Sequence, residues 1–282
     1  MKTRALISSY HMNQVLDKYS DLFHKHKIDI DTIVNNPVVT EAELFPIIAK
    51  YDGVICSDDQ FTDKVLRKAN KLKVISKWGT GLDSIDTEVA YEQGIKIYNS
   101  PGAFSESVSL YVWGMIIALT RKLLLIDSLV RNNSWEKAKG MTLAGKTIGV
   151  IGAGNIGKSV IGTGIGFQMR VLINDIKKID KTFLNKYKAS QVSKSTLLKE
   201  SDIVVLCVDL NQTSYHLISS SELKKMKKGS YIINISRGPV IDEKALIIAL
   251  CNDIIAGAGL DVFEKEPLQK NSKLRKLKNC II

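Results

Sequence analysis

The 282-residue chain is 45% hydrophobic, enough for two buried α/β cores, which excludes a disordered or fibrous protein. Its 40 Lys and Arg outnumber 29 Asp and Glu to give a net charge of +11, yet apart from short clusters at 224–228 and 273–278 the basic residues are scattered without interleaved aromatics. A solvated surface is therefore favoured over a nucleic-acid face. Cys56, Cys207, Cys251 and Cys280 are widely spaced, with no CxxC pair and no histidine at ligand spacing, which argues against a metal site and for reduced thiols in a cytoplasmic protein.

The N-terminus offers only Ala5, Leu6 and Ile7 before Ser8 and Ser9, too short a core for a signal peptide. Residues 4–9 read as a first strand, with later strands over 54–57 and 73–76. Between them, 12–26 places Val15, Leu16, Tyr19, Leu22 and Phe23 on one helical face, and 41–50 and 62–69 follow the same period. Strands alternating with helices predict a parallel sheet with right-handed crossovers.

After the strand ending at Ser76 comes Trp78-Gly79-Thr80-Gly81-Leu82-Asp83, at the carboxyl edge where open α/β sheets bind ligands. Lys77 and the backbone N–H groups of Gly79, Thr80 and Gly81 suit a carboxylate, although a tight glycine turn alone needs no ligand. A strand over 95–98 runs into Asn99-Ser100-Pro101-Gly102, which reads as a hinge and divides the chain into domains 1–100 and 101–282.

A long helix is expected over 105–131, apolar on most faces through Trp113, Met115, Ile116, Ile117 and Leu119. Burial between the domains or against a second subunit would satisfy it. Its apolar run 110–119 ends at Arg121 and Lys122, well short of a membrane span, so no membrane partner is expected. Trp135 fits either a subunit-interface anchor or a core position.

The apolar strand 147–151 then feeds Gly152-Ala153-Gly154-Asn155-Ile156-Gly157, and strands over 170–174, 202–207, 231–235 and 256–261 alternate with helices near 195–200, 219–226 and 243–250. Gly152 would make the tight turn, Gly154 would admit a pyrophosphate close to the backbone, and Gly157 would let the helix pack on its strand. The helix N-terminus would face the phosphates. A glycine-rich turn alone is equally an ordinary strand-to-helix loop. Asp175, 18 residues past Gly157 at the end of the next strand, sits where a carboxylate binds both ribose hydroxyls. It favours NAD over NADP, a preference tempered by Lys177 and Lys178.

Asn-Ile-Ser-Arg-Gly-Pro-Val-Ile-Asp (234–242), Gly-Leu-Asp-Val-Phe-Glu-Lys-Glu-Pro (259–267) and the 152–157 glycine motif together resemble the D-isomer-specific 2-hydroxyacid dehydrogenase family, which includes the phosphoglycerate dehydrogenases. The resemblance runs from about Lys73 to the C-terminus. It implies two Rossmann-like doubly wound parallel-sheet domains, a flavodoxin-like substrate domain and an NAD-binding Rossmann domain, with the active site in the cleft and a homodimeric assembly. The implied activity is hydride transfer between nicotinamide and C2 of a small D-2-hydroxy or 2-oxo acid.

By the same resemblance Arg237 is the catalytic arginine, gripping substrate carboxylate and carbonyl, and Glu266 is the catalytic glutamate that orients an acid/base histidine. Asp261 would hold the nicotinamide carboxamide. Thr80, Cys207, Ile235 and Ser236 would line the cofactor beside Gly152, Gly154, Asn155, Ile156, Gly157 and Asp175. Gly79, Thr80 and Gly81 would hold the substrate carboxylate.

None of His11, His24, His26 and His216 matches the family's general acid, which follows the catalytic glutamate by some twenty residues, and the closing helix of the first domain is also absent. The expectation is a C-terminally truncated and impaired enzyme whose first domain has an uncovered apolar face, with His216 structural and His11 at the surface. Phe104 and Leu110 stand where many relatives carry polar residues, so the identity of the acid stays open. A catalytically silent NAD-binding sensor or partner-binding protein is the alternative; Arg237 and Glu266, which it would not need, favour the enzyme.

Overall fold

The computed structural model describes residues 3–33 and 38–282, and the chain divides into two compact units, Met1–Phe104 and Ser105–Ile282. That division lies just past the expected hinge, because the hinge is tied back into unit 1. The Ser100 N–H donates to the Gly79 carbonyl at 2.9 Å and the Asn99 side-chain amide to the Thr80 carbonyl at 2.7 Å.

Unit 1 runs β1 (Thr3–Ile7), α1 (Tyr10–Asn13), α2 (Ser20–Lys25), β2 (Ile28–Thr32), α3 (Glu41–Leu44), β3 (Gly53–Cys56), α4 (Asp63–Lys68), β4 (Val74–Lys77), α5 (Thr87–Glu92) and β5 (Lys96–Tyr98). Its sheet is wholly parallel in the order β2-β1-β3-β4-β5, the flavodoxin-like winding. Leu6, Val54, Phe61, Val65, Leu66, Ile75 and Val89 close the core. The helix expected over 12–26 is broken: α1 ends at Asn13 and a tighter 3-10 turn, Leu16–Tyr19, intervenes before α2. The Asn13 side chain turns away to donate to the Ile33 carbonyl at 2.9 Å. Strand β2 has no counterpart in the sequence reading, because its Ile-Asp-Ile-Asp-Thr alternation presents two acids on an edge strand.

Unit 2 runs α6 (Ser105–Thr120), α7 (Leu123–Arg131), β6 (Thr147–Ile151), α8 (Asn155–Gly164), β7 (Arg170–Asn174), α9 (Lys181–Tyr187), β8 (Ala189–Gln191), α10 (Lys194–Glu200), β9 (Ile203–Leu206), α11 (Ser220–Leu223), β10 (Tyr231–Asn234), α12 (Glu243–Cys251), β11 (Gly257–Leu260) and β12 (Cys280–Ile281). The seven strands are parallel in the order β12-β11-β10-β9-β6-β7-β8. The winding reverses between β6 and β9, which is the topological switch point. Every residue of β6, β9, β10 and β11 is buried, because the sheet is covered on both faces. Val112, Trp113, Ile116, Val160 and Ile161 cover one face, and Leu197, Leu198, Leu246 and Leu250 cover the other.

The single helix expected over 105–131 is two helices bent by 58°, with Lys122 in the left-handed region at φ +55°. Thr120 ends α6 by donating its hydroxyl to the Ile116 carbonyl at 2.7 Å, while its own carbonyl accepts from the Met141 N–H at 2.8 Å. Helix α6 buries one face, through Val112, Trp113, Met115, Ile116 and Leu119, in the core of its own unit, while Leu110 and Tyr111 stay exposed; Trp113 lies in contact with Gly164, where a Cβ would collide with the indole. Helix α7 buries none of its residues, so Leu123, Leu124, Leu125 and Val130 face outward, as does Trp135 at 86% exposure. No single described helix is long and apolar enough to cross a membrane.

All four cysteines are free thiols. Burial pushes Cys56, Cys207 and Cys280 up to about 12, helped by Asp59 at Cys56 and by Glu243 at Cys280, while Cys251 is exposed.

Candidate active site

The loop between β6 and α8 is built around two obligatory glycines. Gly152 has φ +90°, and a Cβ there would strike the Cys207 carbonyl. A Cβ on Gly157 would land on the Gly152 carbonyl, so this glycine fixes how closely α8 follows its strand. Gly154 differs: its backbone is extended, it is exposed, and a Cβ on it would meet nothing within 4 Å. No described residue requires glycine there, so the space beside its backbone is open to a ligand.

The helix that follows is uncapped. Thr62, Asp86, Ser193 and Asp242 cap α4, α5, α10 and α12 through their side chains, but Gly154 at the head of α8 makes no such bond. First-turn N–H groups without a side-chain acceptor are an anion site. Asp175, just beyond β7, reaches into the same place: Oδ2 accepts from the Ala153 N–H and Oδ1 from the Lys177 N–H, each at 2.7 Å. These features fit a dinucleotide, with the pyrophosphate at Gly154-Asn155-Ile156 and the ribose at Asp175. Ile156 is half-buried and packs on the same core as α8.

On the other side of the switch point, Cys207 continues β9 with its N–H on the Ile151 carbonyl at 2.8 Å. Ile235 and Ser236 are buried just past β10. The Ser236 hydroxyl accepts from the Val208 N–H at 3.1 Å, and Asn234 braces the turn by accepting from the Ser236 N–H and donating to the Arg237 carbonyl, both at 3.0 Å. Arg237 is half-buried, and its Nη1 donates to the Ser236 carbonyl at 2.9 Å. Gly238 fits only as glycine, since a Cβ would overlap the backbone of Phe263 and Glu264. The arginine loop therefore lies directly against the segment carrying Asp261 and Glu266.

Asp261 donates its N–H to the Asn234 carbonyl at 3.0 Å. Burial raises its carboxyl above the usual range, opposed by a hydrogen bond from Tyr111 of α6. Glu266 is exposed, and its Oε1 accepts from the Phe263 N–H at 2.9 Å.

Sequence reading gave no sign of the group that ties these loops together. His216 Nε2 lies 2.8 Å from Glu264 Oε1, and the same oxygen accepts from the Glu243 N–H at 3.1 Å. Glu243 is raised by burial and by the neighbouring Glu264 charge. His216 thus joins its loop to the segment of Glu264, a partner 48 residues away and beyond the reach of any local pattern.

In unit 1, Gly79, Thr80 and Gly81 are half-buried in the loop after β4. The Gly79 and Thr80 carbonyls are occupied by Ser100 and Asn99, while the Thr80 and Gly81 N–H groups have no acceptor among the described residues. Adjacent free N–H groups form a nest suited to a carboxylate. Lys77 does not join them at the surface. Its side chain is 1% exposed, and its ammonium is held by Asp58 Oδ1 and Ser84 Oγ, both at 2.8 Å.

Comparison with known proteins shows the family of the chain. The sequence model for D-isomer specific 2-hydroxyacid dehydrogenase, NAD binding domain, matches residues 113–282, and that for the catalytic domain of the same enzymes matches 7–113. The chain is 38% identical over 250 residues to a glyoxylate reductase of Thermofilum pendens, covering 85% of this chain and 73% of that protein. It is 36% identical over 260 residues to a hydroxypyruvate reductase of Thermotoga maritima, covering 91% and 83%. A D-lactate dehydrogenase of Aquifex aeolicus, solved with NAD and lactic acid, superposes with a TM-score of 0.86 at 28% identity, over 99% of this chain and 87% of that one.

Proposed function

Because the chain belongs to the D-isomer specific 2-hydroxyacid dehydrogenase family, an NAD-dependent oxidoreductase family acting on small 2-hydroxy and 2-oxo acids, we propose that it interconverts glyoxylate or hydroxypyruvate with the corresponding hydroxy acid. The observation that carries this reading is the pairing of a glycine open to a ligand, Gly154, with the Asp175 carboxylate at one loop, beside an arginine turn packed on the Asp261–Glu266 segment.

When bound, the nicotinamide supplies the hydride exchanged with C2 of the acid. Gly152, Gly154, Asn155, Ile156 and Gly157 would seat the pyrophosphate, and Asp175 the ribose. Thr80, Cys207, Ile235, Ser236 and Asp261 would border the nicotinamide half. The Arg237 guanidinium would take carboxylate and carbonyl in a fork, polarising the carbon that accepts hydride; a rigid, permanently charged fork suits that task better than a point charge. Glu266 would stand on the proton side of the reaction. The free N–H groups of Gly81 and Thr80, with Gly79 completing the loop, would hold the carboxylate.

The four free thiols support a reducing compartment, the cytoplasm. The outward apolar residues of α7 and Trp135 support a homodimer in which a second copy covers them, which sedimentation of the wild type against Leu124→Glu tests. The functional test is NADH oxidation with glyoxylate, hydroxypyruvate and pyruvate. Turnover of either of the first two supports the proposal. Tight NADH binding with no turnover of, or affinity for, any of the three would favour the silent NAD-binding alternative.

A further inference from the structure

Lys77 is an anomaly: a lysine with a 1% exposed side chain, at the end of a strand, immediately before a loop that faces solvent. Lysine is rarely buried without a partner, and this one has two. Asp58, on the loop after β3, is 69% exposed on its side chain and supplies the counter-charge at 2.8 Å. Ser84 supplies a hydroxyl, also at 2.8 Å, from the far end of the 78–83 loop. One ammonium therefore grips both ends of that loop, since its own backbone begins it and Ser84 closes it. Ser84 is fixed from a third direction, its carbonyl accepting from the Phe61 N–H at 2.9 Å beside the Phe61–Ile85 bridge.

The lysine stem is also the floor of the loop. A Cβ built on Gly79 would come within 3.3 Å of Lys77 Cε and 3.7 Å of Cγ, so the Gly79 backbone lies directly on the aliphatic chain. The Gly79 N–H bonds to the Lys77 carbonyl at 3.0 Å, and the loop's upper carbonyls are pinned by Ser100 and Asn99. Held below by Lys77 and above by the 99–100 turn, the loop leaves the adjacent Thr80 and Gly81 N–H groups, with those of Leu82 and Ser84, without an acceptor among the described residues. Preorganised donors bind an anion without paying to reorganise at the moment of contact.

We propose that Lys77 is a positioning residue: it staples the 78–83 loop through Ser84 and Asp58 so that the Thr80 and Gly81 N–H groups converge on the substrate carboxylate, and it does not ligate that carboxylate itself. This rests on the reading of the loop as the carboxylate site. Asp58 is then part of the staple, although it places a negative charge close to an anion-binding loop. The two roles for Lys77 predict opposite effects at Asp58. If Lys77 were a direct ligand, Asp58 would compete with the substrate, and Asp58→Asn would tighten binding.

The test uses the full chain with NADH bound and oxamate, a 2-oxo acid analogue that is not reduced, followed through the backbone amide resonances of Thr80 and Gly81. In the wild type those two amides shift on titration. Lys77→Met is expected to weaken oxamate about tenfold, through release of the stapled loop, and to raise KM for glyoxylate more than it lowers kcat. In the ligand-free chain it is expected to speed exchange of the Thr80 and Gly81 amides while distant amides stay as they were. Asp58→Asn, at an exposed position that folds in any case, is expected to weaken oxamate by a smaller factor.

Tighter oxamate binding by Asp58→Asn, or unaltered Thr80 and Gly81 exchange in a folded Lys77→Met chain, would overturn the inference alone. Failure of oxamate to shift the two amides in the wild type would overturn the carboxylate reading of the loop itself.

Discussion

The Asp175 carboxylate accepts the Ala153 N–H at 2.7 Å, so the acid at the end of β7 holds the glycine loop that follows β6. It braces that loop, and in the proposed function it would also meet a ribose. Asp175→Ala removes both and is expected to weaken NADH binding ten- to a hundredfold, about 1.4–3 kcal/mol, by titration of NADH fluorescence. An unchanged affinity would remove Asp175 from the cofactor site.

The two glycines flanking Asn155 and Ile156 should respond in different currencies. Gly157→Ala puts a methyl on the Gly152 carbonyl and is expected to destabilise the fold by about 2 kcal/mol or more, read as a lower melting temperature. Gly154→Ala meets open space and is expected to melt like the wild type while losing NADH affinity. A Gly154→Ala chain with full affinity would show that no ligand approaches the loop there.

Arg237→Ala is expected to lower kcat/KM for glyoxylate by about 2–4 kcal/mol with little change in NADH affinity. Arg237→Lys should recover little of it, because an ammonium cannot reproduce a two-pronged grip. Substantial rescue by lysine would mean that charge alone is required.

Glu222 gives the fold an acid-sensitive joint. Its side chain is 12% exposed, and burial favours the neutral form. Hydrogen bonds from the Ser219 and Ser221 hydroxyls and the Ser219 N–H, with Lys194 nearby, outweigh that and hold the carboxyl down at about 2. A folded value below the unfolded one contributes stability that is present above about pH 4.5 and is lost as pH falls toward 2. Glu222→Gln is expected to cost on the order of 2 kcal/mol at pH 7 and to flatten the stability profile between pH 5 and 3. Parallel profiles for the two chains would show that Glu222 is not the group responsible.

What could be read from the sequence was whatever repeats on a local scale. The β6 run, the 152–157 glycines and Asp175 announce themselves because the strand, the turn and the acid are set by near neighbours. Helix α6 was legible as a core helix, but neither its exposed face nor its end was, because the N–H that meets the Thr120 carbonyl belongs to Met141, twenty-one residues later. Strand β8 and helix α9 were missed because a three-residue edge strand and a helix that buries none of its residues carry too little apolar period. The contacts of Lys77 were out of reach as well, because its partners Asp58 and Ser84 come from either side in the chain and only the fold brings them to one nitrogen.

The cysteines leave the chain with a single ready handle. Three of the thiols are held protonated by burial at about 12, and attack on a maleimide requires the thiolate. Cys251, at the end of α12, is the one exposed to reagent. A fluorophore added at neutral pH would therefore mark the molecule once, on the outside of unit 2, without engineering any residue away. Energy transfer from that dye to a second label introduced on unit 1 would then report the distance between the units in solution, with and without nucleotide.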